Sequence, residues 1–303
     1  MAELKVWLDG QIIDEKDAKV PIMVHSLQYG SGIFEGIRAY DAGGVPAVFR
    51  LDDHIRRFIN TARIYHMNLG FSADKLKEAV KQVILANSLK SCYIRPFAFY
   101  NDSNIGVSPF GKKVSVFIAA RPFGLYFSNA DKGLKCRVSS WHRIDSAVLP
   151  VQAKASGNYL NSVIAMWDAH ESGFDEAILT TRDGYLTEGP GENLFLVKDG
   201  EIMTPGRESP ILMGITRDSI LQFAGSIGIR ATERMIRRDE LYTADELFFA
   251  GTAAEITPIV NVDGIEVSGG AIGPVTRKIR DKFREIVEGR NENYAKWLTK
   301  VKQ

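Results

Sequence analysis

Several features are scarce in this 303-residue chain, and each scarcity excludes a class of protein. No stretch reaches the roughly 18 consecutive apolar residues that a membrane-spanning helix needs, so no membrane span is expected. The first ten residues lack the apolar core of a secretory signal, and a cytoplasmic location is expected. There are two cysteines, Cys92 and Cys136. They fit no metal spacing and are read as buried small hydrophobes in a reducing compartment, not as a disulfide. His25, His54, His66, His142 and His170 are scattered without paired ligand spacing, so no metal site is expected. Excess charge is missing too. Lys and Arg total 38 against 37 Asp and Glu, a net charge of +1. No global field favours nucleic acid or an anionic membrane, although a few local cations can still hold a small anion. No Walker-type phosphate loop occurs. The glycines of 29–36 are neither at dinucleotide spacing nor in a strand–helix–strand unit, which disfavours a nicotinamide site.

Hydrophobic residues make up 45% and charged residues 25%, enough for a sizeable core. At roughly 100–200 residues per domain, the length suggests two domains. Four Asp-Gly pairs lie between β-rich runs: Asp9-Gly10, Asp183-Gly184, Asp199-Gly200 and Asp263-Gly264. Asp-Gly tolerates the positive φ angles of a tight turn, so each predicts a hairpin. Apolar spacing and flanking breakers predict helices over 51–68, 73–89, 159–170, 216–227 and 275–287. Strands are expected over 114–120, 134–140 and 194–197, and 247–250 is a further apolar run. The expected class is therefore α+β, rich in antiparallel sheet with flanking helices. Pro122, Gly124, Ser128, Asn129 and Gly133 interrupt the patterning. They place a small α/β domain over 1–121, a linker over 122–133 and a larger cofactor-binding domain over 134–303.

Some residues suggest chemistry. Lys154 is flanked by Ala153, Ala155 and Ser156, so a flat cofactor ring can approach it, and a desolvated lysine is a nucleophile toward an aldehyde. A solvated surface lysine is the alternative. Glu188 and Glu192 flank the Gly189-Pro190-Gly191 turn, where a carboxylate can keep a pyridine nitrogen protonated and make the ring an electron sink. The alternative there is a polar turn with solvated acids. Gly214-Ile215-Thr216 reads as a helix start whose backbone N–H groups can meet a phosphate, and Gly251-Thr252 is read as the same chemistry. Each is equally compatible with an ordinary cap. Arg57 can add a charge-assisted contact to that phosphate, or simply be solvated.

Seven stretches occur together in order: YGSGIFEGIRAY (29–40), YIRP (93–96), SSWHR (139–143), KASGNYLNS (154–162), TEGPGENLF (187–195), GITRD (214–218) and GTAAEITP (251–258). In this order they resemble the branched-chain amino acid aminotransferases, class IV pyridoxal-phosphate enzymes with the D-amino-acid aminotransferase-like fold. The resemblance runs from about Trp7 to Trp297. It implies pyridoxal 5'-phosphate as cofactor and transfer of the amino group of L-leucine, L-isoleucine or L-valine to 2-oxoglutarate. It further implies Lys154 as the lysine carrying the cofactor and Glu188 as partner of the pyridine nitrogen. Tyr159 is implied at the ring oxygen, and Arg57, Ile215, Thr216 and Thr252 in the phosphate cup. Tyr93, Arg95, Thr252 and Ala253 are implied as receivers of substrate carboxylates, with Arg38 as a second candidate cation. Tyr29, Phe34, Val107 and Tyr126 are implied as an apolar side-chain pocket. The partners implied are small amino acids and 2-oxo acids, and a homodimer or trimer of dimers in which neighbouring chains share active sites. D-amino-acid aminotransferase and aminodeoxychorismate lyase share this fold and cofactor, but YGSGIFEGIRAY and YIRP look more like the branched-chain group. A non-catalytic binding protein is disfavoured because Lys154 and Glu188 are both intact.

Overall fold

The computed structural model describes residues 4–103 and 105–302. The chain divides into two compact units. The first takes residues up to Gly124, then Ala153–Gly157, then the chain from Glu285 onward; the second takes Leu125–Gln152 and Asn158–Arg284. The chain thus returns to the first unit twice after Gly124, which a single cut over 122–133 does not provide for.

The first unit is built on strands β1 (Lys5–Leu8), β2 (Gln11–Asp14), β3 (Ile33–Phe34), β4 (Ile37–Ala42), β5 (Val45–Phe49), β6 (Cys92–Tyr100) and β7 (Val114–Arg121), with the late strand Leu298–Lys300. Their order is Leu298–Lys300, β5, β4, β6, β7, β1, β2, with β3 added on β6. Every pairing in this sheet is antiparallel. Helices α1 (His25–Tyr29), α2 (Leu51–Ile64) and α3 (Ala73–Ala86) accompany it. The buried face of α3 is Leu76, Ala79, Val80, Val83 and Ile84, one stripe at helical spacing. It joins Ile55 and Phe58 of α2 with Trp7, Ile94, Val116 and Ile118 of the sheet in one core.

The second unit holds β8 (Leu134–Val138), β9 (Glu176–Ile178), β10 (Asn193–Lys198), β11 (Glu201–Thr204), β12 (Ala231–Glu233), β13 (Glu246–Gly251), β14 (Glu255–Val262) and β15 (Ile265–Glu266). The order is β12, β11, β10, β13, β14, β8, β9, with β15 on β14. Only the β11–β12, β14–β8 and β8–β9 pairs among the described strands are parallel. Helices α4 (Tyr159–Glu171) and α5 (Ile215–Phe223) belong here, and α6 (Pro274–Val287) begins here. The core includes Leu134, Val138, Ile178, Leu194, Leu247, Phe249 and Ile259. The start of α6 is capped from the sheet: the buried Glu246 carboxylate accepts from the Val275 and Thr276 N–H groups at 2.9 and 2.7 Å.

The α+β class is as expected, and three of the four Asp-Gly hairpins form as read. Asp9, Asp199 and Asp263 take φ near 50°, each followed by a glycine of positive φ, and they join β1–β2, β10–β11 and β14–β15. At Asp183-Gly184 only the glycine has positive φ, and the flanking chain makes isolated bridges instead of named strands. The expected helix 216–227 is α-helical only to Phe223 and finishes as a 3-10 turn over Ala224–Ile227, and two further helices stop sooner than expected. His66 and Ser88 adopt φ of 53° and 51°, and the N–H of the next residue reaches five back, Met67 to Ala62 O and Leu89 to Ile84 O. These are Schellman closures without glycine. Both cysteines are buried and free. Burial pushes the Cys92 thiol up to about 12. No helix among the described residues is long and apolar enough to cross a membrane.

Candidate active site

In the first unit the segment carrying Lys154 is laid against β3 through one isolated antiparallel bridge, Ile33 to Ala155. The Phe34 N–H donates to the Lys154 carbonyl at 3.0 Å, and the Ser156 N–H to the Gly32 carbonyl at 2.8 Å. The Lys154 N–H donates to the hydroxyl of buried Thr61 at 3.2 Å. Ala153 and Ala155 are buried, and the Lys154 Nζ stands 5.1 Å from the centre of the Phe34 ring. The glycines on the facing stretch are there for close approach. A Cβ on Gly36 would lie 2.1 Å from the Tyr93 hydroxyl, and one on Gly32 would lie 2.5 Å from the Phe97 ring.

Arg57, expected at a phosphate, is committed in this structure to Glu35. Its Nε and Nη2 donate to the two Glu35 oxygens at 2.6 and 2.8 Å. His54 Nδ1 is 2.8 Å from the same carboxylate, and neither Glu35 nor His54 is accessible to solvent. Burial alone pushes the Glu35 carboxyl up, but the charge and hydrogen bonds of Arg57, with those of His54, outweigh it and bring the value down to about 2. With an acceptor-only carboxylate facing it, His54 Nδ1 carries the proton. Burial lowers the His54 pKa against the pull of Glu35, and the charges of Arg57 and Lys154 lower it further.

The carboxylate-binding candidates of the first unit, Arg38, Tyr93 and Arg95, lie on β4 and β6. Arg38 pairs in register with Tyr93, and the Arg95 Nη2 donates to the Tyr93 hydroxyl at 3.0 Å. The Arg95 guanidinium lies 4.6 Å from the Phe34 ring centre, and its buried Nε has no hydrogen-bond partner among the described residues. Arg38 donates to the Gly124 carbonyl at 3.1 Å and lies over Phe123. Tyr29 and the loop bearing Val107 come together: the Tyr29 hydroxyl accepts from the Gly106 N–H at 3.1 Å, and Val107 is 76% exposed.

In the second unit the buried Glu188 carboxylate takes hydrogen bonds from three directions. Arg143 Nε donates at 2.8 Å, Asn193 Nδ2 at 3.2 Å and the Leu212 N–H at 3.1 Å. The other carboxamide atom of Asn193 abuts Gly214, where a Cβ would lie 2.0 Å from Oδ1. This ties Glu188 to the start of α5, whose first residues, Ile215 and Thr216, are buried and whose N-terminus has no side-chain cap. The Gly251 turn abuts Glu192, and a Cβ on Gly251 would lie 3.4 Å from the Glu192 Cγ. That turn is not the helix start that the Gly-Thr pair suggests. Glu255 turns left-handed with φ 54°, and the chain folds straight back as β14, pairing Gly251 with Glu255. Thr252 and Ala253 are half-buried at its tip, Tyr159 is half-buried at the start of α4, and Tyr126 is exposed against Phe127.

Residues 32–262 match the amino-transferase class IV family. The chain belongs to the class IV aminotransferases. The branched-chain-amino-acid aminotransferase of Escherichia coli strain K12 is 44% identical over 301 residues, covering 98% of this chain and 97% of the relative. Among solved structures, the branched-chain aminotransferase of Thermoproteus uzoniensis with norvaline has a TM-score of 0.95 at 46% identity, covering 99% of this chain and 100% of that one. The branched-chain amino acid aminotransferase of Thermobaculum terrenum, solved in its PLP-bound holo form, has a TM-score of 0.93 at 36% identity and covers 99% of both chains.

The groups of this class IV aminotransferase suit a phosphorylated pyridine aldehyde. The start of α5, free of a side-chain cap and beside the Thr216 hydroxyl, presents backbone N–H groups of the kind that suit a phosphate dianion. Glu188 is a buried acceptor with its counter-charge already in place. Lys154 is an amine between two small residues. Glu35, His54 and Arg143 are not evident from the sequence. Glu35 and Arg143 lie inside the quoted motifs, but only the tertiary pairing shows what they hold.

Proposed function

We propose that this chain is a pyridoxal-phosphate-dependent transaminase that moves the amino group of L-leucine, L-isoleucine or L-valine to 2-oxoglutarate, and the reverse. The observation that carries the proposal is the setting of Lys154, fixed through its backbone to Phe34 and Thr61 and flanked by buried alanines. When bound, pyridoxal phosphate supplies an aldehyde to hold the amine and an electron-poor ring to spread the charge left at Cα. Lys154 Nζ holds the cofactor and accepts the proton that leaves Cα. Glu188 keeps the proton on the ring nitrogen, and Tyr159 bonds the ring oxygen. Ile215, Thr216, Thr252 and Arg57 bind the phosphate, with Glu35 fixing the orientation of Arg57.

The substrate must present an apolar side chain in one half-reaction and a second carboxylate in the other. Phe34, Tyr29, Val107 and Tyr126 form the apolar wall. Tyr93, Arg95, Thr252 and Ala253 receive carboxylates, with Arg38 as the further cation. The buried Nε of Arg95, which has no hydrogen-bond partner among the described residues, supports this, because a bound carboxylate would satisfy it. We place the enzyme in the cytoplasm as a homodimer, or a trimer of dimers, in which the Val107 loop completes a neighbouring chain's site. The exposure of Val107 and Phe110 on that loop supports a partner there.

The proposal is tested by a screen of amino donors with 2-oxoglutarate. All three branched-chain L-amino acids are expected to yield glutamate, since an apolar wall separates them by only about 1–3 kcal/mol per methylene. D-alanine as the best donor would replace this reading with D-amino-acid transamination. Arg57→Ala is expected to weaken cofactor binding roughly 10- to 150-fold, the worth of one charge-assisted hydrogen bond, with little change in donor preference. Equilibrium dialysis of the cofactor checks this, and equal affinity in both proteins would remove Arg57 from the phosphate site.

A further inference from the structure

Arg143 is held more firmly than a single ion pair requires. Its side chain and that of Glu188 are 8% and 7% exposed. Arg143 Nη1 also donates to the Asn161 Oδ1 at 3.3 Å. Asn161, on α4, fixes the loop on both sides of Arg143: its Oδ1 accepts from the Ile144 N–H at 3.2 Å, and its Nδ2 donates to the His142 carbonyl at 2.9 Å. Two turns further along α4, Asp168 accepts from the Ser139 hydroxyl, the Ser140 N–H and the Ser140 hydroxyl at 2.9, 2.8 and 3.1 Å. The loop 139–144 is therefore bound at both ends to one face of α4, with Arg143 projecting from it onto Glu188.

We propose that Arg143 is a positioning residue for the reaction. It keeps Glu188 an aimed anion, and so sets how firmly the cofactor's ring nitrogen holds its proton. The inference rests on the reading of Glu188 as the ring-nitrogen partner. A buried carboxylate without a counter-charge takes up a proton. A protonated Glu188 would hold its own hydrogen, leaving the ring nitrogen as a bare acceptor. The Arg143 guanidinium is bonded directly to the carboxylate, so it favours the anion more than it disfavours a protonated ring.

The test uses the full-length holoenzyme and the variants Arg143→Met, Arg143→Lys, Glu188→Gln and the Arg143→Met/Glu188→Gln double. Two quantities are read: the pH dependence of the bound cofactor's absorption, and cofactor affinity by dialysis against graded pyridoxal phosphate. Arg143→Met is expected to weaken affinity roughly 10- to 100-fold and to take on the absorption–pH curve of Glu188→Gln. In the Glu188→Gln background it should add no further loss, because Arg143 acts through that carboxylate. Arg143→Lys keeps a charge but loses the fork to Asn161, and it should fall between wild type and Arg143→Met. Additive losses in the double variant would overturn the proposal, as would a wild-type absorption–pH curve in Arg143→Lys together with Arg143→Met, or in Arg143→Lys alone if Arg143→Met does not fold. If Glu188→Gln itself leaves curve and affinity unchanged, the reading of Glu188 fails, and the proposal with it.

Discussion

Lys154→Ala should leave the protein folded and reduce transamination roughly 10⁴-fold or more, through loss of both the covalent anchor and the proton carrier. The fold should survive because the backbone hydrogen bonds of residue 154 are kept when its side chain is cut back to alanine. Its N–H goes to Thr61 and its carbonyl receives the Phe34 N–H. The side chain is only half-buried, and alanine matches its neighbours at 153 and 155. Thermal melting and far-UV dichroism should be close to wild type, while the visible absorption band of the bound cofactor disappears. Single-turnover conversion of L-leucine is the rate to compare. A variant within about tenfold of wild type would show that another group moves the proton.

Glu35→Ala should be the most destabilising single change at the site. It leaves Arg57 and His54 facing an empty, buried position, and removing one partner of a buried ion pair costs about 3–5 kcal/mol. Denaturant unfolding of the intact chain measures this, and Glu35→Gln separates the loss of charge from the loss of volume. The same carboxylate gives stability an acid limb. Its folded value is about 2 against 4.5 when free, so its contribution is complete above 4.5 and is lost as the pH falls from there toward 2. That contribution amounts to about 3 kcal/mol, because each tenfold change in proton affinity is worth about 1.36 kcal/mol. Glu35→Gln does not titrate and should lack this part of the decline. Parallel acid-unfolding profiles for wild type and Glu35→Gln would mean that the three side chains contribute no net electrostatic stability.

Local signals carry as far as local chemistry decides. The expected end of helix α4, ahead of Gly173, lies within one residue of the observed one, because a glycine of positive φ closes it. The expected ends of α2 and α3 run too far because His66 and Ser88 perform the same closure without glycine, held by neighbours that no local pattern reveals. The Gly43-Gly44 turn between β4 and β5 has a signal as strong as that of the Asp-Gly pairs, and it belongs with them as a hairpin marker. Gly251-Thr252 misleads because a glycine before a threonine looks the same whether a helix or a return strand follows. At the site, the resemblance supplies residue types and roles, and the structure supplies which charges neutralise which. The pairs Glu35–Arg57 and Glu188–Arg143 join residues 22 and 45 apart in sequence, beyond the reach of periodicity.

The pairing of Leu298–Lys300 with Val45–Phe49 joins strands about 250 residues apart in one sheet. During synthesis, β5 emerges early and waits with one edge unpaired until residues 298–300 have followed it. Such an edge can recruit another nascent strand. The second unit, whose segments all lie between Leu125 and Arg284, can gather its own core while the first is still missing its border. Products terminated between Arg284 and Leu298 would therefore carry the whole second unit beside a first unit with an open sheet edge, a combination that marks a chain for chaperone capture or aggregation.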